Sequence, residues 1–181
     1  MSKIILVRGM AGTGKSTLTN ELSKRLKLVV LHKDDIYDAS ASVIQEHSSR
    51  NKLCFDFLFR LLQTVIDADA SIILDFGFND NNSVLSLDQW VRERGGELKI
   101  IHCICSNETI WSERLAERSK NPLPNQLITN LSELKEYYRN LSAEYLEKEL
   151  VLDTVKELEW LIIQAETFVL EQNAHYANGE R

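Results

Sequence analysis

The sequence predicts an α/β protein with a five-stranded parallel sheet and helices on both faces. Three observations carry this reading. Short apolar runs alternate along the chain with helical patterns of ten or more residues. The runs are continuously apolar, as expected of strands buried on both faces. The first run leads directly into a glycine-rich stretch ending in lysine and serine, where a helix opens.

Residues 3–7 read as the first strand, carried by Ile4, Ile5, Leu6 and Val7. Lys15–Leu26 reads as a helix, with Leu18, Leu22 and Leu26 at a spacing of four. Residues 28–31 are a second strand, and residues 40–47 fit neither pattern. Residues 53–68 place Phe55, Leu58, Phe59, Leu62 and Ile66 at helical spacing. Residues 71–74 are a third strand, closed by Asp75. A helix over 81–94 stops at Gly95 and Gly96, because glycine enters the left-handed turn that ends helices without a Cβ penalty.

Residues 98–105 are the fourth strand, and Asn107 caps a helix running through Arg118. Both prolines of the chain, Pro122 and Pro124, fall within residues 119–130, which predicts a loop or small lid. Residues 131–146 read as an amphipathic helix, 150–152 as a short fifth strand and 155–170 as the last helix. A single domain over residues 1–172, with a frayed tail over 173–181, accommodates this pattern.

The net charge of the 181 residues is −6, with no block of Lys and Arg, so long nucleic acid is a disfavoured partner. The three cysteines, Cys54, Cys103 and Cys105, form no CxxC and no cluster with histidine; they read as reduced, buried thiols. The opening apolar run is too short for a signal peptide, and nothing approaches the ~20 apolar residues of a membrane span. A reducing cytoplasm without membrane contact is the expected setting.

Gly9-Met10-Ala11-Gly12-Thr13-Gly14-Lys15-Ser16 fits G-x-x-x-x-G-K-[ST]. Average residue usage produces a chance match in about one chain in a hundred of this length. Its place between a strand and a helix is the one its physics needs. The glycines let backbone N–H groups converge on a phosphate, and the helix N-terminus adds positive potential. Gly9, Ala11, Gly12, Thr13, Gly14, Lys15, Ser16 and Thr17 are therefore the expected phosphate-binding set. Lys15 neutralises the outer phosphates of ATP, and the Ser16 hydroxyl is an oxygen ligand for Mg²⁺. The expected fold is that of the P-loop NTPases, with strand order 2-3-1-4-5.

The Asn-Lys-x-Asp of GTPases and the Leu-Ser-Gly-Gly of ABC ATPases are absent, and the chain is short for an AAA+ module with its helical lid domain. Asp75-Phe76-Gly77 imitates a protein-kinase tripeptide, but no His-Arg-Asp loop accompanies it. In open parallel sheets the ligand lies beyond the carboxyl ends of the strands. Asp34, Asp35 and Asp75 follow strands two and three, so they converge on the phosphate end. Asp75 is the expected Mg²⁺ carboxylate. Loop solvation or helix capping is the alternative for each.

The stretch Lys33-Asp34-Asp35-Ile36, with the glycine-rich loop, Asp75 and Arg114–Arg118, resembles P-loop kinases related to polynucleotide 5′-hydroxyl kinases and zeta-toxin kinases, an AAA-type ATP-binding group. The resemblance implies that Asp34 is the base facing the acceptor hydroxyl. It also implies that an arginine at the lid entrance, Arg118 first and Arg114 second, stacks on adenine or clamps phosphates. Asp35 is then a cap or a support.

Two features depart from the group. The lid has Lys120 as its only cation, so Lys120 or Arg139 replaces a second arginine or transfer is slow. Tyr37 and Asp38 stand where kinases of nucleic-acid ends place an arginine. His32 reads as a strand-end histidine or a support for the Asp pair. Residues 79–82 read as a helix cap or a contact to a polar acceptor. Asp153 and Thr154 lie near an adenine or cap the last helix. Trp90, Trp111 and Trp160 read as core or groove fillers.

The expected activity is transfer of the γ-phosphoryl group of ATP to a hydroxyl of a small acceptor. The alternatives are a nucleotide-binding regulatory module and a kinase of nucleic-acid 5′ ends.

Overall fold

The computed structural model describes residues 1–120, 122–126, 128–141 and 144–171. Five strands form one sheet: β1 (Lys3–Arg8), β2 (Val30–His32), β3 (Ile72–Asp75), β4 (Glu97–Ile104) and β5 (Glu149–Asp153). Their order is β2-β3-β1-β4-β5 and every pairing is parallel, as the sequence predicts. All strand carboxyl ends therefore lie along one edge.

The helices are α1 (Lys15–Leu26), α2 (Lys33–Ser40), α3 (His47–Asp67), α4 (Asn81–Arg92), α5 (Glu108–Ser119), α6 (Leu131–Tyr137) and α7 (Leu158–Leu170). The central strand shows why two layers form. Ile4 and Leu6 join a cluster with Leu58 and Leu62 of α3 and Val84, Leu87 and Val91 of α4. Ile5 and Val7 join a second cluster with Leu18 and Leu22 of α1 and Leu161, Ala165 and Val169 of α7. Ile4 to Val7 are wholly buried. Each such side chain contributes roughly 1.5–3 kcal/mol over an exposed one.

Several predicted boundaries shift. Lys33–Ser40 is a helix that apolar spacing did not reveal, with only Tyr37 buried along it. Asp34 and Asp35 stand in its first turn, where carboxylates complement the helix dipole. α3 starts six residues before its apolar stripe, because its first turns are polar. β2 lies at Val30–His32 rather than 28–31: Lys27 adopts a left-handed conformation with φ 56° and holds Leu28 in the α1 cap. The helix expected over 131–146 ends at Tyr137. α7 begins at Leu158, since the Lys156 N–H turns back to the Asp153 carbonyl at 3.1 Å. The tail predicted over 173–181 lies outside the described residues.

A buried polar network ties the end of β1 to β5. Arg8 reaches Glu149 Oε2 through Nη2 at 2.7 Å and Nε at 2.8 Å, both side chains being at most 2% exposed. Arg8 Nη2 also donates to Asn81 Oδ1 at 2.9 Å. Glu149 Oε1 accepts from the Leu146 N–H and meets His102 Nδ1, each at 3.1 Å. Burial alone would raise the Glu149 carboxyl; the His102 hydrogen bond and the Arg8 charge overcome it and hold the group below the usual range. Removing one partner of such a pair leaves an uncompensated buried charge. Glu149→Gln should lower the unfolding free energy by about 3–5 kcal/mol, measured by urea denaturation.

Candidate active site

The loop between β1 and α1 is held from below. Gly9 has φ +139°, and a Cβ there would lie 2.2 Å from the Cys103 carbonyl oxygen, so the strand end admits only glycine. The Met10 carbonyl accepts from Thr13 Oγ1 at 2.8 Å and from Lys15 Nζ at 3.1 Å. The Trp111 indole N–H donates to the Ala11 carbonyl at 2.8 Å, and the Trp111 and Leu115 side chains close on Gly12. Gly14, at φ 88°, is the N-cap of α1 and touches Thr154. The loop thus rests on β4, on α5 and on the residue after β5.

Ser16 Oγ donates to Asp75 Oδ2 at 2.7 Å. Asp75 is paired in register with His32 across β2 and β3, and the same Oδ2 meets His32 Nδ1 at 3.0 Å. His32 Nε2 lies 3.1 Å from Asn20 Oδ1. His32 is therefore a support for Asp75 rather than for Asp34. Burial raises the Asp75 carboxyl, but the His32 bond, the Lys15 charge and the Ser16 bond prevail and hold it below the usual carboxylate range.

A cleft of about 790 Å³ opens over this edge of the sheet. Gly9, Ala11, Lys15, Ser16 and Asp75 line it, together with Lys33, Asp34 and Arg118. Asp34 is exposed over much of its surface, yet partial desolvation raises its carboxyl, and the Asp75 charge adds to this against the attraction of Lys15. The two carboxylates are pushed in opposite directions, the arrangement that separates a base from a permanently charged group. A second depression, of about 540 Å³ over α6, contains none of these residues.

The remaining expected residues divide. Gly12 and Thr13 are buried, and Thr17 is exposed in the first turn of α1. Asp35 is exposed beside Asp34 and does not line the cleft. Arg118 lines the cleft, whereas Arg114 does not: its guanidinium donates to Thr154 Oγ1 at 2.8 Å and to the Thr154 carbonyl at 2.9 Å. Lys120 and Arg139 rest in exposed ion pairs with Glu117 and Glu136, away from the cleft. The cations that line it are Lys15, Lys33 and Arg118.

Asp80 caps α4 by accepting from the Ser83 N–H at 2.8 Å, and Asn79 and Asp80 both line the cleft. Sequence reasoning missed His47, Asn51 and Tyr138, which also line it. The first two stand on the polar opening turns of α3, where no apolar period signals a helix. Cys54, Cys103 and Cys105 are buried and unbridged, and burial pushes the Cys103 thiol up to about 12. No helix among the described residues is long and apolar enough to cross a membrane.

The sheet order, the loop and the Ser16–Asp75 pair define a P-loop protein with the architecture of the small kinases. Residues 4–142 match the family model AAA_33, described as an AAA domain, and the chain belongs to that family. No curated protein matches it by sequence. Its fold is similar to that of a sugar kinase from Janibacter sp., at 20% identity and a TM-score of 0.67 over 93% of this chain and 95% of that one. A proposed kinase from Chloroflexus aurantiacus is similar at 17% identity and a TM-score of 0.71, over 92% and 98%. A gluconokinase from Sinorhizobium meliloti is similar at 15% identity and a TM-score of 0.58, over 92% and 91%.

Two consequences are measurable. Gly9→Ala should destabilise the fold by about 2 kcal/mol or more, since the new methyl meets backbone rather than a yielding side chain. Asp34 carries a raised folded-state pKa, so the folded chain holds that proton more tightly than the unfolded chain does. It therefore opposes folding above the carboxylate range and is neutral below it. Asp34→Asn should raise the melting temperature near about pH 7 and leave it unchanged near about pH 3.

Proposed function

We propose that the chain is an ATP-dependent phosphotransferase that moves the γ-phosphoryl group to a hydroxyl of a small-molecule acceptor. The observation that carries this reading is the Ser16–Asp75 pair beneath the loop, with Asp34 in the same cleft and shifted the opposite way. The sugar kinase and gluconokinase among its structural relatives support a small hydroxylated acceptor. The net charge of −6 argues against a long polynucleotide.

Each group then has a task. Loop N–H groups and Lys15 hold the β- and γ-phosphates. Ser16 and Asp75 are hard oxygen donors, and they fit Mg²⁺ held jointly with a nucleotide. Among the described residues no group of three acidic, histidine or cysteine side chains forms a metal cage of its own. Mg²⁺ bound there would supply charge neutralisation at the phosphates. Asp34 orients the acceptor hydroxyl and takes its proton, which a raised carboxyl does better than an ordinary one. Arg118 faces the transferring charge from the α5 side. Gly12, Thr13, Gly14 and Thr17 complete the phosphate contacts, and Arg114 sets the Thr154 corner against the loop. The residues around 119–130 act as the lid. Buried, unbridged thiols suit a reducing cytoplasm.

Among the described residues only one arginine lines the cleft, which favours a second reading: a nucleotide-dependent regulatory module that transfers nothing. Acceptor-stimulated ADP release separates the two, with Lys15→Ala as the blank. Asp34→Asn should retain nucleotide binding in calorimetry and lose about 10²–10⁴-fold in transfer rate. Full transfer in that variant would remove Asp34 as the base. ADP release that no hydroxyl compound stimulates would favour the module.

A further inference from the structure

We propose that Asn51 and Asn79 select the acceptor, and that they select a hydroxyl-rich compound whose O–H groups donate to their side-chain carbonyls. This rests on the phosphotransfer reading and concerns the far wall of the same cleft.

Each amide is anchored through its nitrogen, while its carbonyl oxygen is buried without a partner. Asn51 Nδ2 lies 2.8 Å from His47 Nε2, and His47 Nδ1 lies 2.5 Å from the Tyr37 hydroxyl. An amide nitrogen only donates, so Nε2 accepts and His47 carries its proton on Nδ1, toward Tyr37. Tyr37 is buried, and the Arg50 guanidinium covers its ring at 4.4 Å. The chain of contacts fixes the Asn51 amide, and its Oδ1 is buried without a partner. Asn79 repeats the pattern. Its Nδ2 donates to the Tyr138 hydroxyl at 3.2 Å, and its Oδ1 is buried without a partner.

Buried carbonyl oxygens are nearly always paired, so two orphans in one wall need a reason. The other orphans among the described residues are Arg8 Nη1 and Arg50 Nε, on side chains that do not line the cleft. The fold brings the two amides to one wall. Phe55 and Phe78 meet edge to face at 5.4 Å. Asn51 lies one helical turn before Phe55, and Asn79 directly follows Phe78. After α5, Asn125, which also lines the cleft, donates to Asp38 of α2 through its backbone N–H at 2.9 Å and through Nδ2 at 2.6 Å.

The orphans are acceptors, so the missing groups are donors. Lys33 and Asp34, adjacent at the start of α2, bring opposite formal charges to the lining, and Asp80, also in the lining, is engaged with the α4 cap. Neutral donors therefore fit. An acceptor with hydroxyls beyond the one phosphorylated supplies them, and a monohydroxy compound does not. Sites built to bond a hydroxyl reject analogues lacking it far more strongly than apolar pockets reject a missing methylene.

The test is calorimetric titration of D-glucose, ribitol and D-gluconate into the protein holding ADP and Mg²⁺, with 1-propanol as the monohydroxy comparison. Acceptor-stimulated ADP release is measured in parallel. At least one polyol should bind and 1-propanol should not. Asn51→Leu and Asn79→Leu should each weaken that binding roughly tenfold or more. Asn79→Asp, which keeps an acceptor oxygen, should preserve most of it. Asn51→Ser and Asn79→Ser replace any leucine variant that fails to melt cooperatively. No polyol binding, or equal affinity in the variants, overturns the inference. Polyol binding with these losses but no transfer keeps the inference and removes the phosphotransferase. Acceptor-driven ADP release with unchanged affinity in the variants does the reverse.

Discussion

The hydrogen bond from Ser16 to Asp75 organises the rest of the cleft. It joins the first turn of α1 to the end of β3 and thereby sets the height of the loop above the sheet. Because β1 and β3 run parallel in register, with Val7 opposite Asp75, the bond needs no distortion of either strand. His32 holds the same oxygen from β2. Two neighbouring strand ends and the first turn of α1 thus meet at one carboxylate. The glycine at the end of β1 is the matching constraint from the other side, where the chain passes against the carbonyl of Cys103.

Electrostatics follow from that commitment. Asp75 is surrounded by donors and a lysine, so its charge is stabilised despite burial. That fixed charge, with the desolvating walls, makes ionisation of nearby Asp34 harder. One carboxylate is held below the usual range and its neighbour is raised, by desolvation first and by the Asp75 charge second. Among the described residues Arg118 is the arginine in the lining, beside the cations Lys15 and Lys33.

The sheet was legible in the sequence because each strand is apolar on both faces and the strand–loop–helix motif fixes its own surroundings. The order of strands agrees with that reading. What escaped was polar structure. α2 buries one residue, so no period marks it, and the opening of α3 is polar because it faces the cleft rather than the core. Arg114 and Arg118 are equivalent by spacing, yet Thr154 captures one and leaves the other at the cleft. Such partner choice depends on a distant loop, which periodicity cannot report. Trp111 looked like filler, although its N–H is committed to the loop.

That last contact gives the molecule a built-in reporter. The indole of Trp111 touches Gly12 and bonds Ala11, so its surroundings change with any shift of those two residues. Trp90 packs on Phe59 and is capped by Arg94, and Trp160 stands half in solvent on α7, and neither takes part in this contact. Loop rearrangement on loading should therefore appear as a change in one emitter against two steady ones, and occupancy can be followed by intrinsic light alone, without a label.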